Sequence, residues 1–168
     1  MSDYKFQHIN QLPDLSILEN GLFLCIIHAD KIPPHIGVSI DGKYFSLKAK
    51  GKDEAIPVSE VLKIIDKRTI KTLFVRLEVS VTIEQIKQVY NRFEKTIVKE
   101  TSCLSPIKDV LKVQGDIQKL SDLLDYLDSN RLSREVFGVY IDEDFKGIPY
   151  YEVEDIDKRL ESLTKAKV

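Results

Sequence analysis

Two side chains in this sequence could do one kind of chemistry together, the thiol of Cys103 and the imidazole of His35. A thiol attacks an acyl carbon once it has lost its proton. A nucleophilic cysteine is therefore sought beside a histidine that takes the proton and later returns it to the leaving group. Cys103 lies in Thr101-Ser102-Cys103-Leu104-Ser105-Pro106, a junction between two helical stretches, and Thr101, Ser102 and Ser105 are all good helix N-caps. If Thr101 caps, the sulfur falls in the first turn, where unpaired N–H groups and the helix dipole favour a thiolate. Pro106 prefers the first helical position, and that register makes Ser105 the cap and leaves Cys103 just ahead of the helix. His35 opens the stretch His35 to Leu47, in which Asp41-Gly42 joins two strand-like runs. Asp-Gly is among the best short hairpin signals because a type I′ turn needs positive φ at both central residues. The hairpin accounts for the hydrophobics and the turn but gives no reason for the histidine.

Each of these residues has a plainer reading. Cys103 could be a small buried hydrophobe at a helix junction, and His35 a turn residue after Pro33-Pro34. Cys25, in the apolar run Leu22 to His28, is expected in the core. His28, three residues on, is expected on the opposite strand face, where it could serve the cleft as an accessory donor. The acidic residues Asp142, Glu143 and Asp144, with Glu152, Glu154, Asp155 and Asp157, match no calcium-loop spacing and read as a solvated surface.

The elements that must position the pair follow from periodicity. Residues 1 to 20 read as a loosely organised lead-in, and Leu22 to His28 as a buried strand. After the hairpin, residues 49 to 56 read as a polar loop, and Pro57 starts a helix whose apolar residues recur to about Lys67. Thr72 to Glu78 is β-rich. Thr82 and Gln85 form a capping box, and the stripe Ile83, Ile86, Val89, Tyr90, Phe93, Ile97 carries that helix to about Glu100. Further helices are expected over Ile107 to Val113, Ile117 to Leu127 and Val153 to Lys165, with a short strand over Val136 to Ile141.

A chain of 168 residues is most simply one domain, long enough to bury a core without staples. With 25 basic and 27 acidic residues the net charge is −2, so neither total charge nor any basic run points to nucleic acid. No apolar stretch is long enough to span a membrane, the N-terminus lacks the features of a secretory signal, and a cytoplasmic location is expected. Two cysteines are too few for a disulfide scaffold or a cysteine-based zinc site.

The histidine-led hairpin His35-Ile36-Gly37-Val38-Ser39-Ile40-Asp41-Gly42-Lys43-Tyr44-Phe45-Ser46-Leu47, followed 68 residues after the histidine by Cys103, resembles the circularly permuted papain-fold proteins. These include NlpC-like hydrolases, PPPDE peptidases and the lecithin:retinol acyltransferase group. The resemblance implies an α+β fold, a small antiparallel sheet packed against helices. Its core would be residues 21–113, after the lead-in 1–20 and before a mostly helical extension 114–168. It implies Cys103 as nucleophile, His35 as general base, and the Cys103 backbone N–H as one oxyanion donor. A third polar residue usually orients the histidine from the return strand. Here that strand offers Ser46 and, less suitably, Lys48, in place of an acid, amide or second histidine, and Ser102 replaces the Asn or Asp often found before the cysteine. The implied activity is a cysteine hydrolase or acyl transferase acting on an amide, isopeptide, thioester or ester of a peptide, protein or other acyl-bearing substrate. No metal or organic cofactor is implied. The same resemblance allows a catalytically silent binding module. The oligomeric state is open.

Overall fold

The computed structural model describes residues 2–165. In chain order the strands and helices are β1 (Ser2–Tyr4), β2 (Asn10–Gln11), β3 (Leu22–Ile27), β4 (His35–Ile40), β5 (Lys43–Lys48), β6 (Gly51–Pro57), α1 (Val58–Arg68), β7 (Thr72–Leu77), α2 (Ile83–Asn91), α3 (Leu104–Leu111), α4 (Leu120–Ser129), β8 (Ser133–Val139), β9 (Ile148–Pro149) and α5 (Val153–Lys165). A 3-10 turn at Leu15–Glu19 precedes β3.

β3 is hydrophobic on both faces because it is covered on both. It lies inside a seven-stranded sheet of order β2-β8-β7-β3-β4-β5-β6. All pairings are antiparallel except the two-residue parallel contact of β2 with β8. Leu24, Ile26, Val38, Phe45, Leu73 and Val75 point to the layer of α2, α3 and α4. Phe23, Cys25, Tyr44 and Phe74 point to α1, which contributes Val58, Val61 and Ile65. The molecule is thus three layers deep, with helices on both faces of the sheet. The expected mixture of helix and sheet is present. The sheet is larger than the small antiparallel one anticipated, and it carries one parallel pair.

The Asp41-Gly42 turn forms as read, with φ of 47° and 81° and Ile40 paired to Lys43. The capping box at Thr82 and Gln85 is also present. Other expectations are corrected. Residues 49–56 are not a polar loop: only Ala49 and Lys50 turn, and Gly51–Pro57 is the edge strand β6, its charged residues suited to an unpaired edge. The helix beginning at Ile83 stops at Asn91, well short of Glu100. The Lys52 ammonium from β6 donates to the carbonyls of Tyr90 and Phe93 at 2.8 Å each, satisfying groups a longer helix would have bonded itself. The lead-in is organised: β1 pairs with β9, β2 pairs with β8, and Leu18 is fully buried. The stretch after residue 113 supplies α4, α5 and also β8, which lies within the main sheet beside β7. Residues 1 and 166–168 of the anticipated segments lie outside the described residues.

The two ends of the described chain meet around Lys119. Its ammonium donates to the Asp3 carboxylate and to the Tyr151 carbonyl, each at 2.8 Å, and lies 4.6 Å from the Tyr150 ring centre. The side chains of Lys119 and Asp3 are each only 16% exposed, so water replaces little of what is lost when either is removed. Lys119→Ala is expected to cost about 2 kcal/mol of stability, read as a lowered urea midpoint. Adding Asp3→Asn is expected to restore part of it by discharging the stranded carboxylate.

Candidate functional site

His35 is the first residue of β4, paired across the sheet with Ile27. Side chains alternate along a strand, so His35, Gly37 and Ser39 share one face while Ile36, Val38 and Ile40 take the other. The buried cluster under α2, α3 and α4 contains these three aliphatic residues. Gly37 is required at its position. A Cβ there would stand 2.6 Å from the Phe45 carbonyl oxygen and 2.7 Å from the Tyr44 ring, which folds across the glycine.

Cys103 occupies the position immediately before α3, with helical φ and ψ of −62° and −19°. Neither Thr101 nor Ser105 takes that place. Pro106 therefore falls at the third helical residue. The approach is tied locally: the Ser102 hydroxyl accepts from the Leu104 N–H at 3.2 Å, and the Ser105 hydroxyl accepts from the Ser102 N–H at 3.0 Å. These bonds leave the thiol out of the capping role. It meets the backbone amide of Ile36, the residue after His35.

One cleft of about 730 Å³ is lined by both Cys103 and His35. Its apolar wall includes Ile32, Pro33, Leu47, Ile156, Leu160 and Leu163, drawn from the β3–β4 loop, from β5 and from α5. Its polar lining includes His28, Lys31, Lys48, Lys50 and Arg159, and among the described residues no Asp or Glu lines it. The volume falls within the range of roughly 300–1,000 Å³ of small-molecule sites.

Burial sets the resting charges. It pushes the Cys103 thiol above the usual range, and the Ile36 amide pulls it only partly back. Burial also drives His35 down to about 4, with the Asp53 carboxylate opposing and Lys48 and His28 reinforcing the fall. At neutral pH the cleft is therefore lined by an uncharged thiol and an uncharged imidazole, not by an ion pair. His28 is lowered too, by burial and by the positive charges of Lys31, Arg159 and Arg68, against the pull of Asp30. It stands at the end of β3 with φ of 58°, so strand alternation no longer fixes its side, and it lines the cleft with His35. Cys25 is fully buried, as expected, with its thiol raised to about 12.

Ser46 is fully buried on β5, and its hydroxyl donates to the Asp53 carboxylate at 3.0 Å. The other oxygen of Asp53 takes the Lys48 ammonium at 3.1 Å. Asp53 pairs with Ser46 across β5 and β6, and its charge acts on His35. An acid therefore lies one strand beyond the return strand, at a position whose charge reaches His35. The sequence held a faint signal for it, since Lys48 and Gly51 bracket a two-residue turn that brings Asp53 opposite Ser46. Arg159 of α5 lines the same cleft, and no local pattern in the sequence brings a C-terminal helix there.

The low value for His35 carries a stability signature. An unfolded histidine binds its proton near pH 6.5 and the folded one near 4, so between these values only the unfolded chain is protonated. The stabilisation is complete above about pH 6.5 and is lost as pH falls toward 4, by an amount on the order of 3 kcal/mol. His35→Gln is expected to flatten that part of a urea-midpoint profile, leaving the smaller slope of the same sign from His28.

Elsewhere, no group of three or more His, Cys, Asp or Glu among the described residues is arranged to hold a metal ion. Asp142, Glu143 and Asp144 are exposed. No helix among the described residues is long and apolar enough to cross a membrane. Compared with protein-family models, with curated proteins and with solved structures, the chain matches none.

Proposed function

We propose that this protein is a cysteine-dependent hydrolase or acyl transferase in which Cys103 attacks an acyl carbon and His35 moves the proton. The observation that carries the reading is that one cleft is walled by both residues although 68 positions separate them in sequence. The neutral resting pair defines the mechanism. His35, unprotonated above about pH 4, takes the thiol proton as sulfur bonds to carbon, and the tetrahedral oxyanion draws on the Cys103 backbone N–H. Collapse of that intermediate expels the amine, alcohol or thiol, which His35 protonates, and water or another acceptor then releases the acyl group from sulfur. Asp53, held by Ser46 and Lys48, acts on His35 through its charge, which favours the protonated imidazole formed during the transfer. The permuted papain-like fold belongs to this proposal, as does a peptide, protein or other acyl-bearing substrate.

Iodoacetamide labelling of Cys103 across pH tests it. A histidine-assisted thiol is expected to react with a rate that rises through about pH 4 to 5 and then levels, following His35. An unassisted thiol follows its thiolate, whose ordinary value is about 8.5 and here is higher. Labelling that climbs only above that point, or that persists in Cys103→Ser, rejects the enzyme reading.

The raised thiol favours a second reading, a silent member of the same fold that uses the cleft to bind a peptide or protein. The same labelling profile separates the two.

A further inference from the structure

The cleft combines two properties that meet in few ligands. One wall is aliphatic, built from Ile32, Leu47, Ile156, Leu160 and Leu163. The rim is cationic, with Lys31, Lys48, Lys50 and Arg159, and no carboxylate among the described residues lines it. Lys48 is matched by Asp53 at 3.1 Å. Lys31 and Arg159 are exposed and, among the described residues, form no ion pair. Both line the cleft with His28, at the end of β3, and act on it together with Arg68 and against the Asp30 carboxylate. Like charges gathered at the mouth of an apolar recess raise the local concentration of anions, and each loses repulsion when an anion arrives.

We infer that the cleft binds a single-chain amphiphile with an anionic head, its tail along the α5 wall and its head between Lys31 and Arg159. An apolar tail without charge leaves the cations unmatched, and a small anion without a tail leaves the aliphatic wall in water. Both parts are needed to use the surface that is present. α5 supplies both, because Leu160 and Leu163 line the recess while Arg159 stands beside them at its rim. That such an amphiphile is also the acyl donor rests on the proposed role of Cys103; the binding itself does not.

Dansyl-undecanoate and its methyl ester, titrated by fluorescence, test the inference on the full chain. The acid is expected to saturate, with the ester at least about tenfold weaker and the acid weakening as salt is raised. The double substitution Lys31→Glu with Arg159→Glu, at two exposed positions, is expected to lower affinity for the acid by about tenfold or more and to leave the ester unchanged. Leu163→Asp is expected to abolish binding of both. Butyrate is expected not to compete. Equal binding of acid and ester, indifference to the charge reversal, or full competition by butyrate each overturns the inference. So does saturable capture of an apolar peptide that excludes the acid. If the acid binds but labelling of Cys103 shows no assistance, the enzyme reading fails alone; if labelling is assisted but the acid does not bind, this inference fails alone.

Discussion

Gly37→Ala is expected to destabilise the protein by about 3 kcal/mol, measured as a shift in the urea midpoint at unchanged slope. The added methyl would lie 2.6 Å from the Phe45 carbonyl oxygen and 2.7 Å from both Cε1 and the hydroxyl oxygen of Tyr44. The tyrosine is 3% exposed and packed among Phe23, Cys25, Val58 and Phe74, so its ring has little room to retreat. The Phe45 oxygen belongs to the β4–β5 hairpin, which pairs Val38 with Phe45 and Ser39 with Tyr44. Relief therefore requires moving either a sheet strand or a core aromatic. Tyr44→Leu in the same chain is expected to recover only part of the loss, since the contact with Phe45 is to backbone. A drop under about 0.5 kcal/mol for Gly37→Ala would mean that the ring does not lie across the glycine. This position also explains why a glycine stands two residues after His35: the ring that covers it occupies the space of a side chain.

The second large effect is on reactivity. With a medium-chain p-nitrophenyl ester as substrate, His35→Ala is expected to lower Cys103-dependent turnover by roughly a hundredfold or more, the usual scale of losing a positioned general base. Burial leaves the thiol protonated at neutral pH, so without the imidazole only the small thiolate fraction reacts. The unaltered protein is expected to gain activity as pH rises through about 4, when His35 sheds its proton, and His35→Ala to lose that limb and rise only at alkaline pH. Asp53→Asn, which removes the acceptor charge behind Ser46 and beside His35, is expected to shift the limb to lower pH and to affect kcat more than KM. Identical pH profiles for the unaltered and His35→Ala proteins would remove His35 from the mechanism.

Local signals carried much of the architecture. The hairpin was legible because Asp41-Gly42 is a strong turn signal, and the start of α2 because Thr82 and Gln85 satisfy each other's backbone partners. β6 was hidden because an edge strand exposing Lys52 and Glu54 has no hydrophobic alternation to betray it. The end of α2 was hidden for a related reason. Its apolar stripe continues past Asn91, but Lys52 takes the last carbonyls and the Thr96 N–H bonds to the Lys48 carbonyl at 2.9 Å, so the chain leaves the helix to join the sheet edge. β2 and β9 are two residues each and exist only through long-range pairing, which no local pattern encodes. At the candidate site, residue type and setting single out Cys103, His35 and Ser46; the first two line one cleft, and Ser46 is buried on β5 against Asp53. Asp53 acts on His35 from an edge strand without hydrophobic alternation, and Arg159 enters the cleft from a distant helix, so both depend on tertiary structure.

The sulfur and the imidazole come from different layers. One rides on β4, locked by ladder bonds to β3; the other sits at the head of α3, which meets the sheet through side chains such as Ile36, Leu104 and Ile107. Packed helices slide over a sheet in small shear steps without breaking its ladder. The spacing between thiol and imidazole is therefore set across a seam between layers, by how α3 is seated as much as by the sheet itself.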